Sequence, residues 1–273
     1  MENMENYSVL MTIYKKDNPD FAKAGIDSML NQTYRTNDFV LVCDGEITED
    51  LNAVIDAYVS EYPDIFNVVR LPQNVGLGAA LRHGIHICKN EIVARMDNDD
   101  IAKPERCEHE IKHLRSYPDC VLVGAHMNEF DKDPNVTIRE KRVPIGFENI
   151  KKYARRRNPF NHSTVMFRKS AVLEAGNYSE MRTNQDVELW VRMLNKGYHC
   201  ENMDEILVDF RFDSDTLERR KEWKNSKLMI DIWKQFRKNK YCSYWDYVVV
   251  KWVQVAIYVM PKNLLNWVYN NLR

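Results

Sequence analysis

The sequence predicts an α/β fold: a mostly parallel sheet flanked by helices, with a helical C-terminal extension. Over the first 125 residues, five apolar segments of strand length alternate with runs of helical periodicity. That alternation is the pattern of βαβ units with right-handed crossovers. Polar clusters at Tyr14, Asp44, Gln73-Asn74 and Asp97–Asp100 fall just after strand segments, where parallel sheets bind ligands. From residue 214 onward the composition turns basic and aromatic.

Tyr7–Ile13 is the first strand, and Phe21, Ala24, Ile26, Met29 and Leu30 then fall mostly on one helical face. Phe39–Cys43 is the second strand, followed by Leu51, Val54, Ile55, Tyr58 and Val59 at helical spacing. Phe66–Leu71 is the third strand, and Leu77–Ile87 a helix with Gly76 and Gly78 at its start. Glu91–Met96 is the fourth strand, Pro104–Leu114 the fourth helix and Cys120–Gly124 the fifth strand. Beyond residue 125 the pattern is less regular, punctuated by Val143-Pro144 and Asn158-Pro159. Thr164–Phe167 and Ile206–Phe212 read as strands. A short helix runs to Leu173, and another spans Asp186–Leu194 with Val187, Trp190, Val191 and Leu194 on one face. No internal repeat is present.

A chain of 273 residues, 44% hydrophobic, is long enough for one large or two small domains. Its net charge of −1 favours no partner, but residues 217–240 hold nine Lys/Arg against three Asp/Glu. That stretch lacks a nucleic-acid recognition module, so no nucleic-acid partner is expected. The six cysteines form no metal-ligand spacing and are expected to be reduced and mostly buried. The polar, acidic start carries no signal-peptide pattern, and no run reaches the roughly 18 apolar residues that span a bilayer. A cytoplasmic location is expected.

The run Arg95-Met96-Asp97-Asn98-Asp99-Asp100 places three carboxylates in four positions at a strand end. Clustered acids raise one another's pKa unless a cation neutralises them, and hard oxygen ligands suit Mg²⁺ or Mn²⁺. The alternative is a polar turn in which Asp100 caps the helix beginning near Pro104.

Six motifs, taken in order, resemble the inverting family 2 glycosyltransferases of the GT-A fold, and bacterial O-antigen and capsule enzymes among them. They are Ser8–Tyr14, Ser28–Thr33, Val42-Cys43-Asp44-Gly45, Asn74–Gly78, Asp97–Asp100 and Gln185–Trp190. Cys43 departs from the pattern, standing where a first Asp is common. The resemblance implies a GT-A domain over residues 1–213, with a nucleotide-binding part to about 125 and an acceptor part over 126–213. It implies Mn²⁺ or Mg²⁺ on Asp99 and Asp97, and Asp186 as general base. The base has a structural alternative, a helix cap. Nucleotide-sugar contacts would come from Thr12, Tyr14, Asp44, Asn74, Arg82, Asp97, Asn98, Arg219 and Arg220, with His162 and Trp190 near the acceptor. A solvated helix face is the alternative for Arg82, and a structural hydrogen bond for His162.

The resemblance further implies transfer of a hexose from a UDP-sugar, UDP-galactose or UDP-glucose, to a lipid-diphosphate-linked saccharide in surface polysaccharide synthesis. Residues 241–272 interleave Tyr and Trp with Val and Lys, a composition suited to the inner face of the cell membrane. The alternative is a helical hairpin packed on the core or on a second subunit of a homo-oligomer. Two rival functions are a sugar nucleotidyltransferase and a non-catalytic membrane-associated scaffold. The first usually carries an early Gly-rich phosphate loop, which Tyr14–Pro19 lacks.

Overall fold

A seven-residue apolar run becomes a central strand only if both its faces are covered, and Tyr7–Ile13 does so as β1. In the computed structural model, which describes residues 5–212, 222–261 and 264–265, β1 lies between β2 (Asp38–Cys43) and β4 (Ile92–Met96), parallel to both. Outside β2, β3 (Phe66–Arg70) adds a further parallel strand. The crossovers are α1 (Pro19–Leu30), α2 (Glu49–Glu61) and α3 (Leu77–Ile87). The Asn18 side chain caps α1 ahead of Pro19, and Thr48 caps α2. Alternate strand residues feed two cores. Leu10, Val40 and Val42 meet α3 on one face, and Val9, Met11 and Leu41 meet α1 and α2 on the other.

Past β4 the sheet becomes mixed. The chain makes β5 (Ile101–Ala102), α4 (Arg106–Ser116) and the long β6 (Cys120–Phe130). After β7 (Arg139–Lys141), which pairs with β6, come α5 (Phe147–Ala154) and a 3-10 turn at His162–Thr164. Then β8 (Met166–Arg168) inserts antiparallel between β4 and β6. It is followed by α6 (Lys169–Glu174), α7 (Gln185–Asn195) and β9 (His199–Arg211), which runs parallel to β6. The strand order is β3-β2-β1-β4-β8-β6-β9-β5. The parallel pairing expected from the sequence thus describes the first half, and one continuous sheet joins both halves across residue 125.

All six cysteines are buried and unpaired. The C-terminal extension forms α8 (Trp223–Lys238) and α9 (Tyr244–Val259). Ile232, Trp233, Phe236 and Val250 pack into the core, and the Trp233 indole N–H donates to the Arg155 carbonyl at 2.8 Å. Asp246 closes a capping box with Ser243 and ion-pairs with Arg155 and Arg156 at 2.9 and 2.6 Å. The outer face of α9 stays open, with Trp245 70% and Trp252 64% exposed. One face of α9 packs on the core, as the hairpin alternative expected, and the other carries exposed aromatic residues. Among the described residues no helix is long and apolar enough to cross a membrane.

Candidate active site

The acidic run is delivered by β4. Arg95, its penultimate residue, is 1% exposed, and so dry a guanidinium demands a partner. It forks onto both carboxylate oxygens of Asp97. Asn98 turns inward and donates to the Thr12 carbonyl at 2.9 Å and to the Asp17 carboxylate, joining the loops after β1 and β4. The Asn98 carbonyl leaves α1 no room for a side chain, since a Cβ on Gly25 would meet it at 2.4 Å. Burial, followed by the charge of Asp97, pushes the Asp99 carboxyl up to about 6. Asp100 is fully buried, and its Oδ1 accepts the Arg211 backbone N–H at 3.0 Å. It therefore locks the turn to β9 and does not cap α4, whose N-cap is Glu105 without a side-chain bond.

Asp97 and Asp99 are hard oxygen donors, and a divalent cation would offset both the burial and the Asp97 charge that raise Asp99. These residues fit Mn²⁺ or Mg²⁺. Among the described residues no group of three or more His, Cys, Asp or Glu converges into a ready-made cage. A cation here would complete its shell with water and phosphate oxygens, the common habit of Mg²⁺.

Between the loops that follow β1, β2 and β3, a cleft of ≈ 420 Å³ opens among Lys15, Ile47, Thr48 and the Pro72–Asn74 segment. Asp44 follows β2 directly and is 5% exposed. Its carboxylate accepts Asn74 Nδ2 at 2.9 Å and the backbone N–H groups of Val75 and Gly76 at 2.7 and 2.9 Å. The φ of +96° at Gly76 shapes that turn. The Asn74 side-chain oxygen accepts Arg182 Nη1 at 2.7 Å. Tyr14 is half-buried, with its N–H on Asp17 at 2.8 Å. Burial raises Asp17 to about 7.

Thr12, Tyr14, Asp44, Asn74, Asp97, Asn98 and Asp99 are thus gathered at the carboxyl ends of β1, β2 and β4. Arg82 points elsewhere, bonding the Gly176 and Tyr178 carbonyls at 3.3 and 3.1 Å. Arg219 and Arg220 lie outside the described residues.

Asp186 is the second residue of α7, behind an N-cap, Asn184, that makes no side-chain bond. It is therefore not the cap. Its carboxylate accepts Asn158 Nδ2 at 2.6 Å. Burial raises its pKa, while the Val187 N–H, Asn158 and Arg95 pull the other way. The buried Arg95 guanidinium pairs with Asp97 and acts more weakly, through its charge, on Asp186, and Tyr178 feels both carboxylates.

His162 is hydrogen-bonded to the Tyr178 hydroxyl at 3.1 Å. Burial and then Arg95 hold its pKa well below the ordinary value, so the ring is neutral. Trp190 is fully buried against Phe160, His162, Phe167 and Tyr178. The expected acceptor contact at Trp190 is corrected: its helical position aims it into the core, where it backs His162 and no sugar can reach it.

Sequence reasoning missed Arg95, Asp17, Asn158, Arg182 and Arg211. Arg95 left a signal, a lone cation inside an apolar strand just ahead of three acids. Asn158 was visible only as punctuation before Pro159.

Residues 8–176 match the family described as Glycosyl transferase family 2. The chain is 33% identical to the amylovoran biosynthesis glycosyltransferase AmsE of Erwinia amylovora, covering 98% of this chain and 99% of that one. It is 31% identical to an Escherichia coli protein named UDP-Gal:alpha-D-GlcNAc-diphosphoundecaprenol beta-1,3-galactosyltransferase, covering 99% and 98%. Among solved structures it is similar to the mannosyltransferase PcManGT of Pyrobaculum calidifontis in complex with GDP-Man and Mn²⁺. The TM-score there is 0.67 at 13% identity, over 97% of this chain and 73% of that one. It is also similar to S. aureus TarS residues 1–349 in complex with UDP, with a TM-score of 0.59 at 15% identity, over 97% and 87%.

Proposed function

The chain belongs to glycosyl transferase family 2 and is related to bacterial polysaccharide biosynthesis enzymes, and from that premise we propose that it is a metal-dependent, inverting hexosyltransferase. The donor is a UDP-sugar, UDP-galactose or UDP-glucose, and the acceptor a lipid-diphosphate-linked saccharide. One observation carries the reading: buried Arg95 ion-pairs with Asp97 of the acidic turn and lies near enough for its charge to act, more weakly, on Asp186. A donor diphosphate at the turn and an acceptor hydroxyl at Asp186 then meet across a single charged centre. The named substrates of the E. coli relative support the choice of donor and acceptor.

The residues divide the work. Thr12, Tyr14 and the Asp44–Asn74 turn flank the uridine cleft, and Asp97 and Asp99 face the diphosphate. A divalent cation, when bound there, offsets the charge developing on the leaving diphosphate. Asp186 accepts the proton of the acceptor hydroxyl as its oxygen attacks the anomeric carbon from the face opposite the diphosphate. That direction of attack inverts the anomeric centre. Asn158 holds the Asp186 carboxylate in place through the 2.6 Å bond. Neutral His162 borders the acceptor side.

The exposed aromatic face of α9 and the basic charge of α8 suit the anionic inner leaflet of the cell membrane. A peripheral enzyme placed there meets a lipid-linked acceptor in the plane where it resides.

The test is a donor screen. UDP or GDP release is measured from a panel of nucleotide sugars with a saccharide diphosphate lipid, with and without Mn²⁺. Mn²⁺-dependent UDP release from a UDP-hexose is expected. Release from GDP-sugars alone, or release indifferent to the metal, counts against the proposal.

A further inference from the structure

We propose that the groove between α5, the C-terminal half of α7 and the α8–α9 connection is the subsite for the diphosphate of the lipid-linked acceptor. The inference rests on the glycosyl-transfer reading above and adds a second anion site to it. Residues 151–157, Lys-Lys-Tyr-Ala-Arg-Arg-Arg, hold five cations in seven positions. They border a groove of ≈ 450 Å³, with Lys151, Lys152 and Arg155 on one wall and Val191, Leu194 and Tyr241 across from them.

The cations outnumber the acids that meet them. Glu148, which also lines the groove, takes Lys151 at 3.7 Å, and Asp246 takes Arg155 and Arg156 together. Lys152 is exposed. The wall is also rigid, since Trp233 holds the Arg155 carbonyl and Asp246 the two guanidinium groups. A charged site that is preorganised needs little ordering when an anion arrives.

Its position fits an acceptor. Val191 lies five residues beyond Asp186 on α7, about 7.5 Å along the axis and about 140° around it. Arg155 lies three residues before Asn158, which bonds Asp186. The groove and Asp186 are thus joined by one short stretch of chain, and in this proposal the acceptor's sugar meets Asp186 while its diphosphate turns into the groove. The mixed lining decides between sources of phosphate. Free phosphate gains nothing from half-buried Tyr241 and the aliphatic stems of the lysines, whereas the first carbons of a lipid diphosphate do.

The test compares the Lys151→Ala/Lys152→Ala protein with wild type. Two acceptors are used, a saccharide diphosphate bearing a medium-length alkyl chain and the same saccharide as a neutral alkyl glycoside. The KM for the diphosphate acceptor should rise roughly tenfold, the loss expected from about 1.4 kcal/mol of charge-assisted contact. Values of kcat, donor KM and KM for the neutral glycoside should stay within about twofold. Calorimetric binding of the alkyl diphosphate without sugar should weaken by the same factor, and Lys→Arg at both positions should restore it.

An equal effect on both acceptors, or unchanged alkyl diphosphate binding, overturns the proposal. So does a loss confined to phosphatidylglycerol vesicles, which assigns the groove to phospholipid headgroups. A wild-type protein that binds alkyl diphosphate through these lysines but transfers no sugar keeps the subsite and overturns the transfer reading.

Discussion

Replacing Asp186 with Asn removes a charge and little else. Asn158 donates to Asp186 at 2.6 Å, and an asparagine carbonyl oxygen accepts the same bond. Burial already disfavours the charge at this position, so the change in unfolding free energy should stay within about 1 kcal/mol. The uridine cleft and the acidic turn are untouched, so UDP binding should persist. Transfer should not: a general base contributes roughly 10² to 10⁴ in rate, about 3–5 kcal/mol of barrier.

The pH dependence has a definite sign. Asp186 acts as a base only when deprotonated, and its pKa is raised above the ordinary 3.8. Activity is therefore complete above the raised value and lost as pH falls through it, which places the acid limb higher than a free aspartate would. The assay is kcat from UDP release at saturating substrates, from roughly pH 4 to 8. UDP titration and thermal unfolding are run on the same preparations. A variant within about tenfold of wild-type kcat, or one keeping the same acid limb, refutes the assignment.

Asp99→Ala should abolish the Mn²⁺-dependent component of UDP binding measured by titration calorimetry, because it removes one of the two carboxylates, Asp97 and Asp99, proposed to hold the cation. Asp246→Asn should destabilise the protein by about 1–2 kcal/mol in urea unfolding at neutral pH. Against burial, Ser243 and the two guanidinium groups lower Asp246 from 3.8 to about 2. That shift converts to roughly 2 kcal/mol, discounted because Arg155 and Arg156 are half exposed. The sign follows from a depressed pKa: the contribution is complete above 3.8 and disappears as pH falls through about 2. Trp245→Ser with Trp252→Ser should weaken sedimentation with anionic vesicles while leaving thermal stability unchanged, since both rings are more than half exposed. Undiminished sedimentation removes lipid contact from this face.

The early strands were legible because β1 and β2 are continuous apolar runs bounded by polar residues, a signal that requires no partner. The first half of β9 was not, because Glu201, Asp204 and Glu205 read as a loop. Those acids are accommodated by His113 on Glu201, His126 on Asp204 and His109 on Glu205, partners distant in sequence, with His199 two residues from Glu201 on the same strand. β5 and β7 are two and three residues long, too short for periodicity to register, whereas β8 overlaps the strand expected at Thr164–Phe167.

At the site, position was readable and orientation was not. The ends of β1, β2 and β4 gather the polar clusters that the alternation predicted. Asp44 and Asn98 show the limit: both stand where expected, yet much of their hydrogen-bonding capacity serves the turns that hold them. Trp190 failed for a similar reason, since a helical face seen in sequence does not say which side is wall and which is opening.

The clasp at Asp246 has a mechanical consequence. From α9 the linkage runs through the Asp246 carboxylate to Arg156, then two residues along the chain to Asn158, and across one hydrogen bond to Asp186. No glycine lies between Arg156 and Asn158 to act as a hinge. If α9 rests on a surface, Asp186, the proposed general base, stands at a set height above it. An acceptor whose reactive hydroxyl emerges at another height meets an enzyme that cannot stoop to it.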